Sequence, residues 1–171
     1  PNPEKIPPEL IDSSDRNILL RRPFSFTDVT THGDKTIVEL LYCIVGPASL
    51  RMTTLSAGDS LSVIGPLGNG FMIPGNKKYA LLVAGGMGTP PLQHLAKVLA
   101  SGHQDIEVVA FVGAKSRTAL PFEGRLDEIS QHLGYSLREF SQYGIESVVA
   151  TDDGSTGYKG FVTDCLSEWL D

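Results

Sequence analysis

The stretch Leu81-Leu82-Val83-Ala84-Gly85-Gly86-Met87-Gly88-Thr89-Pro90-Pro91 runs from an unbroken apolar segment, through three glycines, into two prolines. A short apolar run that stops at glycine predicts a buried strand, and prolines suit the first turn of a helix, where a missing N–H leaves nothing unpaired. The stretch therefore predicts strand, tight turn and helix. Glycines let such a turn come close to a ligand, and the free amides that open the helix favour an anion. Two readings stay open here: a contact for a phosphate-bearing nucleotide, or a plain connection. The spacing is not G-x-G-x-x-G, so that dinucleotide fingerprint is absent.

Working outward towards the C-terminus, strand and helix patterns alternate. Segment 79–84 is apolar, 90–100 has helical spacing, 106–112 is apolar, 122–133 is helical, 145–151 is apolar and 161–170 is helical. Strands that read as continuous Val, Leu, Ile and Ala are those covered on both faces by helices, as in a parallel sheet. The prediction is three βα units with no fourth strand. Towards the N-terminus the pattern changes. Segments 18–20, 24–27, 36–45 and 60–64 are rich in β-branched and aromatic residues, and turn signals such as His32-Gly33-Asp34, Gly46-Pro47 and Ala57-Gly58-Asp59 separate them. The fold class is thus β followed by α/β: an N-terminal partial antiparallel β-barrel, then a three-unit parallel-sheet nucleotide-binding domain. The boundary falls at Pro74-Gly75-Asn76-Lys77-Lys78, giving domains 1–74 and 75–171. The first fifteen residues, with four prolines, read as an extended arm.

The 171 residues are 41% hydrophobic and 20% charged, enough to bury a core. Fourteen Lys and Arg against twenty Asp and Glu give a net charge of −6, which argues against nucleic acid as a partner. No apolar run approaches the ~20 residues that cross a bilayer. Two cysteines, Cys43 and Cys165, cannot form a multi-bridge framework or supply four thiolates to a cluster or zinc site. The expectation is a cytoplasmic protein without a metal site. His32, His94, His103 and His132 have no metal-ligand spacing, and neither a nucleophile elbow nor a P-loop is present.

Three further segments stand out. Leu20-Arg21-Arg22-Pro23-Phe24-Ser25-Phe26 offers cations, a fixed φ and a hydroxyl, a combination suited to a flavin and equally to an exposed β edge. Ile64-Gly65-Pro66-Leu67-Gly68-Asn69-Gly70-Phe71 is either a close approach to something bulky or a multi-turn connection. Thr151-Asp152-Asp153-Gly154-Ser155-Thr156-Gly157-Tyr158-Lys159-Gly160 follows the third predicted strand, where ligands of open α/β sheets bind, or is a surface loop.

Taken in order, R-P-F-S, the segment from Leu41 to Ser49, G-P-L-G-N-G-F, A-G-G-M-G-T-P-P-L and T-D-D-G-S-T-G-Y-K-G-F-V-T-D resemble the ferredoxin-reductase-like superfamily, and within it the electron-transfer subunits of bacterial dihydroorotate dehydrogenases. The resemblance implies an FAD-binding barrel and an NAD-binding domain that pass electrons from NADH to an FMN-containing catalytic subunit in pyrimidine biosynthesis, in a homodimer or heterotetramer. By resemblance, Arg22, Pro23, Phe24 and Ser25 match the flavin motif, and Leu41, Tyr42 and Cys43 match a second flavin-contacting strand. Ala48 and Ser49 fall where Gly-Thr is usual, and Gly85, Gly86, Met87 and Gly88 match the pyridine-nucleotide turn. No side chain is expected to act as acid or base, since the cofactors carry the chemistry. NADH is preferred to NADPH only by resemblance, because Lys115 and Arg117 could meet a 2′-phosphate.

Cys43 stands where an arginine beside the flavin phosphates is expected. The P-G-Q-F-like strand, the C-G-P strand and the cysteines of the family's [2Fe–2S] cluster have no counterpart, so the cluster is not supported, and the chain reads either as a piece trimmed at both ends or as a relative without the cluster. A non-catalytic nucleotide-binding or docking module, and another NAD(P)H-flavin reductase of the superfamily, are the alternative readings.

Overall fold

The computed structural model describes residues 21–102, 105–122, 126–127 and 136–171. Contacts divide the chain into two compact units, Pro1–Phe24 with Tyr42–Met72, and Ser25–Leu41 with Ile73–Asp171. The second break lies close to the expected boundary at residue 74. The hairpin, however, belongs with the α/β unit.

The first unit contains a helix where the sequence reading has only a Gly46-Pro47 turn. Helix α1 (Pro47–Thr53) forms because Pro47 opens it and Ser49 caps it. The Ser49 hydroxyl accepts N–H bonds from Val45 and Gly46 at 3.0 and 3.2 Å and donates to the Gly46 carbonyl at 3.0 Å. The signal was legible as proline at the first helical turn followed closely by serine. Segments 40–45 and 60–64, expected as barrel strands, join no ladder among the described residues, and 18–20 lies outside them. Leu61, Val63 and Ile64 are exposed. An alternating segment becomes a strand only against a partner strand, and here the described residues provide none. The antiparallel β that is present is one hairpin, and it lies in the other unit.

That hairpin, β1 (Asp28–His32) and β2 (Lys35–Glu39), turns on Gly33-Asp34, with Gly33 at φ 61°. It is held to the long helix α2 (Thr89–Gly102) by the Lys97 ammonium, which donates to both Asp28 carboxylate oxygens at 2.6 and 2.8 Å and to the Val29 carbonyl at 3.2 Å. This attachment moves residues 25–41 out of the N-terminal half. Burial pushes the Asp28 carboxyl up, but hydrogen bonds from Lys97 and the Val29 amide, with the Lys97 and His94 charges, outweigh it and hold the pKa below its ordinary 3.8. A depressed folded-state pKa contributes stability that is present above the ordinary value and lost as pH falls through the folded one. Asp28→Asn is therefore expected to lower the melting temperature at pH 7, and the gap from wild type to close below pH 3.8, as thermal denaturation across pH will show.

The parallel sheet runs in the order β3-β4-β7-β8, with β3 Tyr79–Gly85, β4 Glu107–Ala114, β7 Glu146–Thr151 and β8 Tyr158–Lys159. Leu82 pairs with Ala110, and Phe111 with Val148. Strand β4 is buried along nearly its whole length because its two faces meet different cores. Val108, Ala110 and Val112 pack with Ala96 and Leu99 of α2 and with Phe140 of the short helix α3 (Arg138–Ser141). Val109 and Phe111 face Cys165, Leu166 and Trp169 of α4 (Val162–Leu170). The Phe111 and Trp169 rings meet edge to face at 5.6 Å, an arrangement contributing about 0.5–1.5 kcal/mol beyond area burial.

Two expectations change. The helix expected over 122–133 falls mostly on undescribed residues, but at Leu126–Asp127 the chain forms a short strand, β5, antiparallel to β6 (Ser136–Leu137). A fourth sheet strand, β8, does exist; at two residues it is too short to show periodicity. Its register comes from a polar clamp instead. Buried Thr151 donates its hydroxyl to the Thr156 carbonyl at 2.7 Å and accepts the Thr156 N–H at 3.0 Å. The Tyr158 hydroxyl then donates to Glu168 of α4 at 2.7 Å, which with burial pushes the phenol up to about 12.

Candidate nucleotide site at the carboxyl edge of the sheet

The carboxyl ends of β3, β4 and β7 carry three loops that are bonded into one rim. At the first, β3 ends on Gly85, a single 3-10 turn covers Gly86–Gly88, and α2 begins at Thr89. Gly86 takes a positive φ of 48°, a conformation that disfavours a side chain. The buried Thr89 hydroxyl donates to the Gly86 carbonyl at 2.8 Å and fixes the turn. A Cβ placed on Gly85 or Gly86 would meet nothing within 4 Å, so both backbones border open space at the helix start. The fourteen-residue α2 presents its first amides there, the positive end of its dipole.

The second loop, after β4, carries Lys115, Ser116 and Arg117. The third, after β7, is tied to it: the Asp152 amide donates to the Ala114 carbonyl at 3.0 Å, and the Asp153 amide to that of Lys115 at 3.3 Å. The Arg117 amide donates to Ser155 Oγ at 2.8 Å. Asp153 accepts from the Ser155 hydroxyl at 2.6 Å and its amide at 2.9 Å, and these two bonds hold its carboxyl below the ordinary value. Gly113 serves a different purpose. A Cβ there would lie 2.8 Å from Val162 Cβ, so glycine lets α4 pack against the sheet. The rim thus offers open glycine backbone and a helix start beside two cations and two carboxylates, a donor set that fits a phosphate-bearing nucleotide with ribose hydroxyls.

The expected flavin residues divide between the units. Arg22, Pro23, Phe24, Tyr42, Cys43, Ala48 and Ser49 lie in the first, and Ser25 and Leu41 in the second. Within the first, Phe24 and Tyr42 stack edge to face at 6.1 Å. Arg21, the neighbour of Arg22, is committed to Ser62, donating to its carbonyl at 2.6 Å and its hydroxyl at 2.9 Å. The Arg22 side chain is exposed and bonds the Arg21 carbonyl at 3.3 Å. The Ser49 hydroxyl is used by its own helix, while Cys43 is exposed. Arg22 and the aromatic pair fit a flavin's phosphate and ring; Ser49 and Cys43 add no free cation or donor. Buried Cys165 has its thiol pushed up by burial and by nearby Glu168, as expected of a packing residue. Missed by the sequence reading were the Thr89 and Ser155 hydroxyls; a hydroxyl directly after a glycine turn was the available signal for Thr89.

No family model matches the chain. Among solved structures, that of an NADH-dependent reduced ferredoxin-NADP oxidoreductase studied for flavin-based electron bifurcation aligns with a TM-score of 0.67 and 28% identity, over 88% of this chain and 48% of that one. A cytochrome P450 reductase of Amycolatopsis shares the fold at a TM-score of 0.58, over 91% of this chain and 46% of that one, at 22% identity. The fold is that of the ferredoxin-reductase-like proteins.

The sequence relatives are more particular. The electron transfer subunit of dihydroorotate dehydrogenase B (NAD(+)) from Bacillus velezensis is 38% identical over 154 residues, covering 88% of this chain and 52% of that protein. Those from Clostridium perfringens and Fusobacterium nucleatum are 36% and 34% identical, over 88% and 90% of this chain and 53% and 52% of their own lengths. The chain is homologous to these subunits along about nine-tenths of its length and spans about half of theirs. The motif-based resemblance holds. No helix among the described residues is long and apolar enough to cross a membrane.

Proposed function

We propose that this chain works as the NAD- and FAD-binding portion of an electron-transfer subunit of the dihydroorotate dehydrogenase type, cytoplasmic and paired with an FMN-containing catalytic subunit. The observation that carries the reading is the open turn at Gly85 and Gly86 at the start of α2, within a chain homologous to such subunits. The bound coenzymes supply the hydride and electron chemistry. The chain's own residues bind and orient. Amides at the start of α2 hold the dinucleotide phosphates, and Lys115 and Arg117, with Asp153 and Ser155 opposite, grip the adenosine end. Arg22 neutralises flavin phosphate, and Phe24 with Tyr42 gives the ring an aromatic wall. These flavin residues, and a barrel completed by segments 40–45 and 60–64, are part of the proposal. No step runs through a [2Fe–2S] cluster, since two cysteines do not fit one.

The test is reconstitution of the chain with FAD followed by anaerobic addition of NADH. The reading expects a flavin absorbance band that bleaches. A chain that takes up no FAD overturns it. One specific observation favours a second reading, a docking module that holds a nucleotide without passing electrons: Cys43 stands exposed where a cation is expected. FAD uptake without bleaching is the result that module predicts.

A further inference from the structure

A second concavity lies in the α/β unit, where the hairpin, α2 and α3 meet. It is an open hollow of about 410 Å³. That is more than ten times a water's share of liquid volume and falls within the range of small-molecule sites. Leu40 and Leu41 from the end of the hairpin, with Pro121 and Phe122, give it an apolar wall. The polar wall is acceptors. Gln93 Oε1 and Glu139 Oε2 are both buried without a hydrogen-bond partner. Gln93 is hydrogen-bonded to Tyr143, and since its carbonyl oxygen has no partner, the amide nitrogen makes that bond and leaves the oxygen free. The Thr27 hydroxyl accepts the Leu41 amide at 2.9 Å. Glu39 stands exposed at the mouth.

No lysine, arginine or histidine lines the hollow, so its wall carries two carboxylates and no cation. That balance rejects phosphates and separates this place from the nucleotide rim. A divalent metal is not suited either, since no group of three or more His, Cys, Asp and Glu side chains gathers among the described residues. Buried acceptors are normally matched by donors, and the donor that satisfies a carboxylate and an amide oxygen together is an ammonium or guanidinium.

We propose that this hollow binds a small organic cation, an ammonium or guanidinium carried on a short apolar body, with its charge on Glu139 and Gln93 and its body against Leu40, Leu41 and Phe122. The inference does not depend on the proposed electron-transfer role. It is tested by amide NMR of the 171-residue chain titrated with 2-phenylethylammonium and, separately, with phenylacetate, an anion of similar size. Saturable shifts at Leu41, Gln93 and Glu139 with the cation, and none with the anion, are expected. Loss of the charge-assisted bond in Glu139→Gln should weaken binding about tenfold. Glu39→Gln, at the exposed mouth, should weaken it about twofold. If Glu139→Gln does not fold, Gln93→Leu carries the same requirement of weaker binding. No shifts at saturating probe, equal response to the anion, or unchanged affinity in the buried-site variant overturns the proposal.

Discussion

Gly157→Ala is expected to destabilise the α/β unit by about 4 kcal/mol or more, a large part of the ~5–15 kcal/mol that holds an ordinary domain together. Gly157 lies in the loop between β7 and β8 with a φ of 67°, so any side chain is strained there. The space is also filled. A Cβ would sit 2.0 Å from the Val149 carbonyl oxygen and 2.8 Å from its carbon, in the middle of β7. Backbone cannot swing aside as a flexible side chain can, and moving it would break the pairing of Val149 with Val112 and the Thr151–Thr156 clamp. Gly33→Ala is the internal control. Gly33 has a similar φ of 61°, but nothing lies within 4 Å of its Cβ position, so only the conformational cost of about 1–2 kcal/mol applies. Urea denaturation followed by circular dichroism measures both. If Gly157→Ala proves no worse than Gly33→Ala, the loop does not pass Val149 as described.

Gly85→Val should separate binding from folding in the opposite sense. Gly85 has ordinary extended dihedrals, φ −114° and ψ 129°, and open space at its Cβ position. A valine there is a good strand residue and should change stability by no more than about 0.5 kcal/mol. It would, however, project a branched side chain into the space in front of the α2 amides. NADH affinity is expected to fall at least about tenfold, equivalent to ~1.4 kcal/mol. Isothermal titration of NADH into a variant with unchanged melting temperature tests this, and unaltered affinity would remove the turn from the site.

These two glycines also show what the sequence could and could not disclose. The turn at Gly85 was legible because a buried strand, glycines and helix-opening prolines follow one another within eleven residues. Strands β3, β4 and β7 and helices α2 and α4 were legible for a related reason: β4 is apolar throughout because it is covered on both sides, and that leaves an unbroken run. The need for glycine at 157 was not legible, since it comes from a contact with Val149 across the β7–β8 loop. The same holds for β8, only two residues long and fixed by Thr151. The place of the hairpin was hidden too. Nothing in Asp28 or Lys97, separated by 69 positions, announces that they will pair and draw residues 25–41 to α2. Alternation at 60–64 correctly marked an extended, half-apolar segment but could not supply a neighbouring strand. At the rim, glycine and charge pattern revealed the β3 and β7 loops, whereas the Ser155–Arg117 bond joining two of the loops depends on folding.

The most direct measurement on the claim that a dinucleotide binds at the carboxyl edge of the sheet is residue-resolved amide NMR of the chain titrated with NADH. Saturable shifts concentrated at 85–89, 115–117 and 152–155, with the hairpin amides of β1 and β2 unmoved, are the predicted result. Binding that leaves those three loops silent and perturbs residues elsewhere would contradict it.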